Sequence, residues 1–303
     1  MTEPLDALTT EAARPELMAI DLAGTDELVR LMAEEDARVP AAVAAAAPAI
    51  VAAIDVIADR LARGGRLVYV GAGTAGRIGV LDAAECGPTF DSPPGQVVGV
   101  LAGGADALVE SVEGAEDDGG AGARDLERLG VGPDDAVVAV SASGRTPYVL
   151  GAAAFARARG AAVVGLACNA GAALSAAVDV PIEVVVGPEF IAGSTRLKAG
   201  TAQKLVLNMI STIAMVKLGK TFGNLMVDVR ATNEKLRARA VRIVAQAAAA
   251  PEQEAAAALG AAQGDAKTAI LMLLRGLDAR AARLRLGACG GNLRRALEDD
   301  ACA

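Results

Sequence analysis

The side chains of this chain best suited to chemistry are carboxylates and hydroxyls, and they gather in a few short stretches. Glu85 closes Gly71-Ala-Gly-Thr-Ala-Gly-Arg-Ile-Gly-Val-Leu-Asp-Ala-Ala-Glu85, within the largely apolar run 80–86. A carboxyl group among apolar neighbours has its pKa raised by desolvation, as a general acid near neutral pH needs. Glu113 and Glu116 stand three apart in Val112-Glu-Gly-Ala-Glu-Asp117, so a helix there would put both on one face. The run Glu116-Asp-Asp118 reads equally as solvated surface. Ser141-Ala-Ser-Gly-Arg-Thr146 brings three hydroxyls and Arg145 together just before Pro147, a residue favoured in the first turn of a helix. That set suits a phosphate, although Ser and Thr are also common helix N-caps. A second polar group, Ser194, Thr195, Arg196 and Lys198, reads as a ligand contact or as a solvated loop.

These residues need elements to position them. Residues 66–70 read as a short buried strand, 71–76 as a glycine-rich turn, and 77–85 as a helix stopped by Gly87-Pro88. A strand, a glycine turn and a helix N-terminus in that order form an anion site, with N–H groups and the helix dipole aimed at one spot. Gly71-Ala-Gly-Thr-Ala-Gly76 also matches the dinucleotide fingerprint, with Asp91 twenty residues on. That acid should close the second strand. Asp91 instead lies in a Pro-rich loop before strand 96–101, so the context disfavours a nicotinamide cofactor.

Composition narrows the chemistry. The chain has 303 residues, 53% hydrophobic but only 2% aromatic, with no Trp and no His. Without histidine, acid–base work falls to Glu, Asp, Lys, Cys or Tyr. The four cysteines, Cys86, Cys168, Cys289 and Cys302, show no metal or redox spacing, which suits a reducing compartment. A net charge of −8 argues against nucleic acid as a partner. No signal peptide is visible, and the apolar run 41–54, broken by Pro48, is too short to span a bilayer. These points imply a soluble cytoplasmic protein.

Read in order, residues 1–25 look like a loosely held arm, followed by helices over 26–36 and 40–63. After the first strand–turn–helix come strand 96–101, helix 105–116 and helix 123–129. Strand 136–140 leads through the serine stretch into helix 147–159, and 162–167 and 181–186 are further strands. Alternating strands and helices imply a parallel sheet with helices on both faces, whose ligands sit at the carboxyl ends of the strands. Both polar turns lie there. Helix 201–218 is apolar nearly all round, so it belongs in a core or a subunit interface. Residues 224–235 read as an extended piece entering a helix. From 251 the chain is Ala-rich and helical, giving an α/β domain over 1–248 and a small helical domain over 249–303.

Five blocks carry a resemblance: 71–88, 112–117, Ser141 to Tyr148, Lys198 to Asn208, and Gly223 to Lys235. In this order and over nearly the whole chain they resemble the N-acetylmuramic acid 6-phosphate etherase family. The resemblance implies a sugar-isomerase-type α/β domain, a C-terminal fold like the ubiquitin-associated three-helix unit, a homodimer, a sugar-phosphate substrate and no metal or other cofactor. It implies release of D-lactate to leave N-acetylglucosamine 6-phosphate in cell-wall recycling. Glu85 matches the family's catalytic acid and Glu116 its base. The expected substrate contacts are Gly73, Thr74, Glu113, Ser141, Ser143, Gly144, Arg145, Thr146, Ser194, Lys198 and Asn233. Two departures stand out: Ala75 where the family usually has Ser, and Gly87 where Pro is common. The competing expectations are a non-catalytic sugar-phosphate-binding regulator of the glucokinase-regulator type, with two such domains in twice the length, and an aldose–ketose isomerase of the same fold.

Overall fold

The computed structural model describes residues 8–228 and 234–298. The chain divides into two compact units, Met1–Ala84 with Gly95–Ser211, and Glu85–Pro94 with Thr212–Ala303. The first is built on five parallel strands: β1 (Leu67–Gly71), β2 (Val97–Leu101), β3 (Ala136–Val140), β4 (Ala162–Ala167) and β5 (Val180–Glu183), in the order β2-β1-β3-β4-β5. Leu67 pairs with Val97 on one side and Ala136 on the other. β1, β3 and β4 are buried along their whole length. Continuous Val, Ala and Leu runs are what strands covered on both faces require.

Helices α1 (Thr25–Asp36), α2 (Val39–Ala45) and α3 (Ala47–Ala62) precede the sheet. The single helix expected over 40–63 breaks at Ala46, and Pro48 then occupies the first turn of α3. Ile50, Ile54, Ile57 and Leu61 form the buried stripe of α3. Helix α4 (Gly73–Phe90) follows β1, α5 (Gly119–Arg128) precedes β3, α6 (Pro147–Ala158) follows it, and α7 (Ala173–Ala177) lies between β4 and β5. Val68, Val70, Val137, Ala139 and Val163 pack with Leu126 of α5, Tyr148, Val149 and Ala152 of α6, and Leu174 of α7. Helices α5 and α6 touch through their glycines. A Cβ on Gly122 would lie 2.0 Å from the Tyr148 carbonyl oxygen, and one on Gly151 1.9 Å from that of Gly119. The buried Tyr148 hydroxyl adds a 2.5 Å hydrogen bond to Asp125. This close approach fixes the segment just ahead of α5, where Glu116 lies.

Helix α8 (Lys198–Lys217) meets α4 at a buried carboxylate. Asp82 accepts from the Tyr69 hydroxyl at 2.8 Å, the Asn208 amide at 2.6 Å and the Ser211 hydroxyl at 3.1 Å. Burial pushes its pKa up, and the three donors oppose that shift. So β1, α4 and α8 are tied at one point.

Three expectations about elements fail. Gly87-Pro88 does not stop α4, which runs to Phe90 with Pro88 inside its last turn. The proline forfeits one helical N–H near an end where few bonds remain to lose, and Cys86 and Phe90 are buried on either side of it. The helix expected over 105–116 is a short 3-10 turn, Asp106–Leu108, followed by loop. Its carbonyls are taken from outside: the Arg77 guanidinium donates to Ala107 O at 2.9 Å and Glu110 O at 3.2 Å. Nor is the N-terminal arm loose from residue 8 onward. Leu8 and Thr10 are buried, and Asn169 bonds Thr9 and Thr10.

The second unit holds a two-stranded hairpin, β6 (Thr221–Phe222) and β7 (Leu225–Met226), and helices α9 (Glu234–Ala248), α10 (Glu252–Ala261), α11 (Ala266–Arg275), α12 (Ala279–Ala288) and α13 (Leu293–Glu298). Asp265 and Asp278 cap α11 and α12, accepting from Thr268 N and Ala281 N. Ala240, Ile243 and Val244 of α9 share one core with α10 to α13. The compact unit therefore reaches well before residue 249. Cys86, Cys168 and Cys289 are all buried. Among the described residues, no single helix is long and apolar enough to cross a membrane.

Candidate functional site

Two turns at the carboxyl ends of β1 and β3 open on one cavity of about 280 Å³. At the first, β1 ends at Gly71 and α4 begins at Gly73, with Gly76 N–H donating to Ala72 O at 3.2 Å. The leading N–H groups of a helix have no acceptor within it. Gly73, Thr74 and Ala75 line the cavity at that end of α4.

The second turn is wired differently. Ser141 Oγ accepts from Gly144 N at 3.0 Å, and Ser143 Oγ accepts from Arg145 N at 3.2 Å. Thr146, the N-cap of α6, makes no capping bond with its side chain. Its hydroxyl instead shares a 2.8 Å hydrogen bond with Ser141 Oγ. The Tyr148 N–H donates to the Glu116 carbonyl at 3.0 Å. Much of the backbone N–H supply expected to meet an anion here is thus already used. The serine oxygens serve as acceptors for the turn; Ser141 also shares its hydroxyl with Thr146, while the Ser143 proton can donate to a ligand. Ser141, Ser143 and Thr146 all line the cavity.

Glu116 lines the same cavity from its place beside the start of α6. It also lines a neighbouring one of about 370 Å³, with Glu113, Arg77, Ser111 and Val112. Ala72 and Gly73 border both. Glu113 and Glu116 therefore meet at a cavity wall, although the helix expected to align them is absent. Both are exposed. The rest of the acidic run divides by role. Asp118 caps α5 through Ala121 N at 2.9 Å, and Asp117 is exposed.

Three further residues line the wall: Thr195, from the polar loop marked in the sequence, and Glu11 and Gln203, which were not expected there. Glu11 enters from the N-terminal arm, Thr195 from the loop before α8, and Gln203 from α8 itself. Asn169 joins the arm to the serine turn, donating to Thr10 Oγ1 and Ala142 O, each at 3.0 Å. Gly193 N–H donates to Thr10 O at 3.1 Å. A larger cavity of about 490 Å³ lies beside β2, mostly apolar and without any expected site residue. Among the described residues no three His, Cys, Asp or Glu side chains gather as a metal-binding group.

Comparison with known proteins shows the family of the chain. The chain is 65% identical over 297 residues to an N-acetylmuramic acid 6-phosphate etherase of Rubrobacter xylanophilus, covering 98% of each. It is 63% identical over 293 residues to that of Streptomyces avermitilis, covering 97% of this chain and 94% of the relative. The chain belongs to the N-acetylmuramic acid 6-phosphate etherase family. The SIS domain family matches residues 120–213, and the glucokinase regulatory protein N-terminal SIS domain matches 49–157. A phosphoheptose isomerase from Francisella tularensis shares the fold, with a TM-score of 0.52 and 21% identity over 64% of this chain and all of that one.

Within this etherase family member, the remaining expected contacts fall in several places. Gly144 sits at a φ of +66°, packed under the serine turn against Ala172. Arg145 and Ser194 are half-buried and not among the residues lining the cavity. Lys198 is 1% exposed, and its ammonium donates to Glu35 at 2.7 Å. Arg14 and Arg38 also pair with Glu35. Burial would raise the Glu35 pKa, but its hydrogen bonds from Arg14 and Lys198 outweigh that and hold it below the usual value. The Lys198 charge is therefore spent inside the fold. Glu189, buried nearby, accepts from Lys198 N and Ala199 N at 2.9 Å each and caps α8. Glu85 is exposed on α4 and is counted with the second unit. The apolar burial expected for it is not observed. Asn233 lies outside the described residues.

Proposed function

We propose that the chain cleaves the D-lactyl ether of N-acetylmuramic acid 6-phosphate, giving N-acetylglucosamine 6-phosphate and D-lactate. The observation that carries this reading is Glu116 on the wall shared by two cavities, one of them lined by the hydroxyls of the two turns. The hydroxyl-lined cavity takes the phosphate end. Glu116 faces the reacting carbons, and the neighbouring cavity takes the lactyl side. In the open-chain sugar the aldehyde acidifies the hydrogen on C2, and Glu116 removes it. Glu85 protonates the ether oxygen on C3 as lactate leaves, and water then adds at C3. Each positioned proton transfer contributes roughly 10²–10⁴-fold. Two carboxylates suffice for these steps in a chain without histidine.

A homodimer is part of the same proposal. Helix α8 buries Val206, Leu207 and Ile210 but leaves Met209, Ile213 and Val216 exposed. These three lie at helical spacing on one face, where a second copy would cover them. Light scattering of an active sample should give about twice the 30.2 kDa of one chain. The reaction is tested by a coupled D-lactate assay on the purified protein. Sugar-phosphate binding without lactate release would favour the regulator, and aldose–ketose conversion would favour the isomerase.

A further inference from the structure

Gln203 is 1% exposed and lines the hydroxyl cavity from α8. Its side-chain nitrogen Nε2 is buried and has no hydrogen-bond partner among the described residues. A buried donor left unpaired is unfavourable, and most such groups in folded proteins are satisfied. The position is well fixed. Lys198 N and Ala199 N, at the start of α8, are held by Glu189, and Asn208 and Ser211 further along are held by Asp82. The first turn of α8 also lies against the first loop, since a Cβ on Gly200 would be 3.3 Å from the Thr74 methyl. Ser143 lines the same cavity, and with its oxygen given to Arg145 N its hydroxyl proton can donate to a ligand. A ligand with acceptors for these donors and hydroxyl donors for the Glu11 and Glu116 carboxylates on the same wall, as a sugar phosphate has, fits the cavity.

The geometry points to Gln203 as a substrate-positioning residue whose side-chain amide donates to a phosphoryl oxygen. This rests on the proposed function only in taking the ligand to be a sugar phosphate. Gln203 touches no reacting carbon in this assignment; it holds the phosphate end and so sets affinity and register.

The test uses the full chain, inorganic phosphate as probe and isothermal calorimetry at constant ionic strength. Gln203→Met keeps the length and removes the donor. It should leave the melting temperature without phosphate unchanged or higher, because the unpaired amide is gone. Phosphate affinity should fall about ten- to hundredfold, the range of a hydrogen bond to a charged group. Gln203→Glu keeps the shape, replaces the donor by an acceptor and adds a like charge. It should weaken phosphate further than Met does. In turnover, both variants should raise KM for the phosphorylated sugar much more than they lower kcat. Unchanged phosphate affinity in the Met variant overturns the assignment. So does a Glu variant that binds phosphate as wild type does, or a Met variant whose melting temperature falls without phosphate. A wild type that binds phosphate but releases no lactate overturns the proposed reaction and leaves this assignment standing.

Discussion

The two strand-to-helix turns read almost alike, Thr74-Ala-Gly-Arg77 and Ala142-Ser-Gly-Arg145, yet they offer a ligand different things. After β1 the chain enters α4 within two residues, and Gly73, Thr74 and Ala75 in the first turn of the helix line the cavity. After β3 it takes a longer path, and hydroxyl oxygens and the Glu116 carbonyl consume the N–H groups. Both turns line the cavity with hydroxyls, Thr74 on the first and Ser141, Ser143 and Thr146 on the second, but the second has spent more of its backbone N–H groups. Each also handles one of the two carboxylates. α4 carries Glu85 downstream of the first turn, and the N-terminus of α6 holds the backbone of Glu116 beside the second. Similar sequence at equivalent topological positions thus gives two different hydrogen-bonding arrangements.

The largest effects should come from separating the carboxylates. Glu116→Gln should lose roughly 10²–10⁴-fold in lactate release, and also the exchange of the C2 hydrogen with solvent. Glu85→Gln should lose lactate release by a similar factor while keeping slow C2 exchange. Proton NMR of substrate in D₂O distinguishes them. If the Glu85 variant fails to exchange and the Glu116 variant does, the roles are reversed.

Next comes the backbone of the two turns. Gly73 and Gly144 both have positive φ, +52° and +66°. A Cβ on Gly73 meets nothing within 4 Å, whereas one on Gly144 would lie 2.4 Å from Ala172 Cβ. Gly73→Ala should cost only the left-handed strain, about 1–2 kcal/mol. Gly144→Ala adds overpacking of about 1–3 kcal/mol. Urea denaturation of both variants checks the order, and equal losses would mean that the second turn yields as easily as the first.

The parts of this arrangement that were legible in the sequence are those set by local pattern. Apolar runs marked β1, β3 and β4, and Pro147 marked the start of α6. The parts that were not legible depend on partners far along the chain. Residues 105–116 have helix-compatible composition, but Arg77 holds the loop's carbonyls from another element. Glu11 looked like part of a loose arm because Asn169, which anchors its neighbours, is about 160 residues away. Lys198 looked like a loop cation, and only Glu35 on α1 shows where its charge goes. Gln203 was hidden in a largely apolar helix that also carries Lys204, Asn208 and Ser211, so nothing in its sequence set it apart.

Ser143→Ala tests the hydroxyl turn with less structural damage than a change at the more buried Ser141. Losing one hydrogen bond to a charged group should raise KM for the phosphorylated sugar about ten- to hundredfold. An unphosphorylated analogue should be affected little. Equal losses for both would mean that this turn holds something other than phosphate.

The smallest effect tests the first turn by making it resemble its partner. Ala75 is buried at 6% exposure, lines the cavity and lies in the first turn of α4. Ala75→Ser puts a hydroxyl among the N–H groups of that turn. If the first turn contacts the phosphate, the new hydroxyl is a further donor at a place already suited to an anion by the helix dipole. A net gain of about 0.5–1.5 kcal/mol corresponds to a KM about two- to tenfold lower for the phosphorylated sugar, and a similar gain in phosphate affinity. The change is one oxygen atom, and Ser is well accepted near a helix start. Stability should therefore hardly move, and binding is read cleanly by calorimetry with inorganic phosphate. Tighter phosphate binding would place the anion against both turns. No change in phosphate binding would leave the hydroxyl turn as the sole phosphate site, and the comparison would then be between a binding turn and one that only carries Glu85.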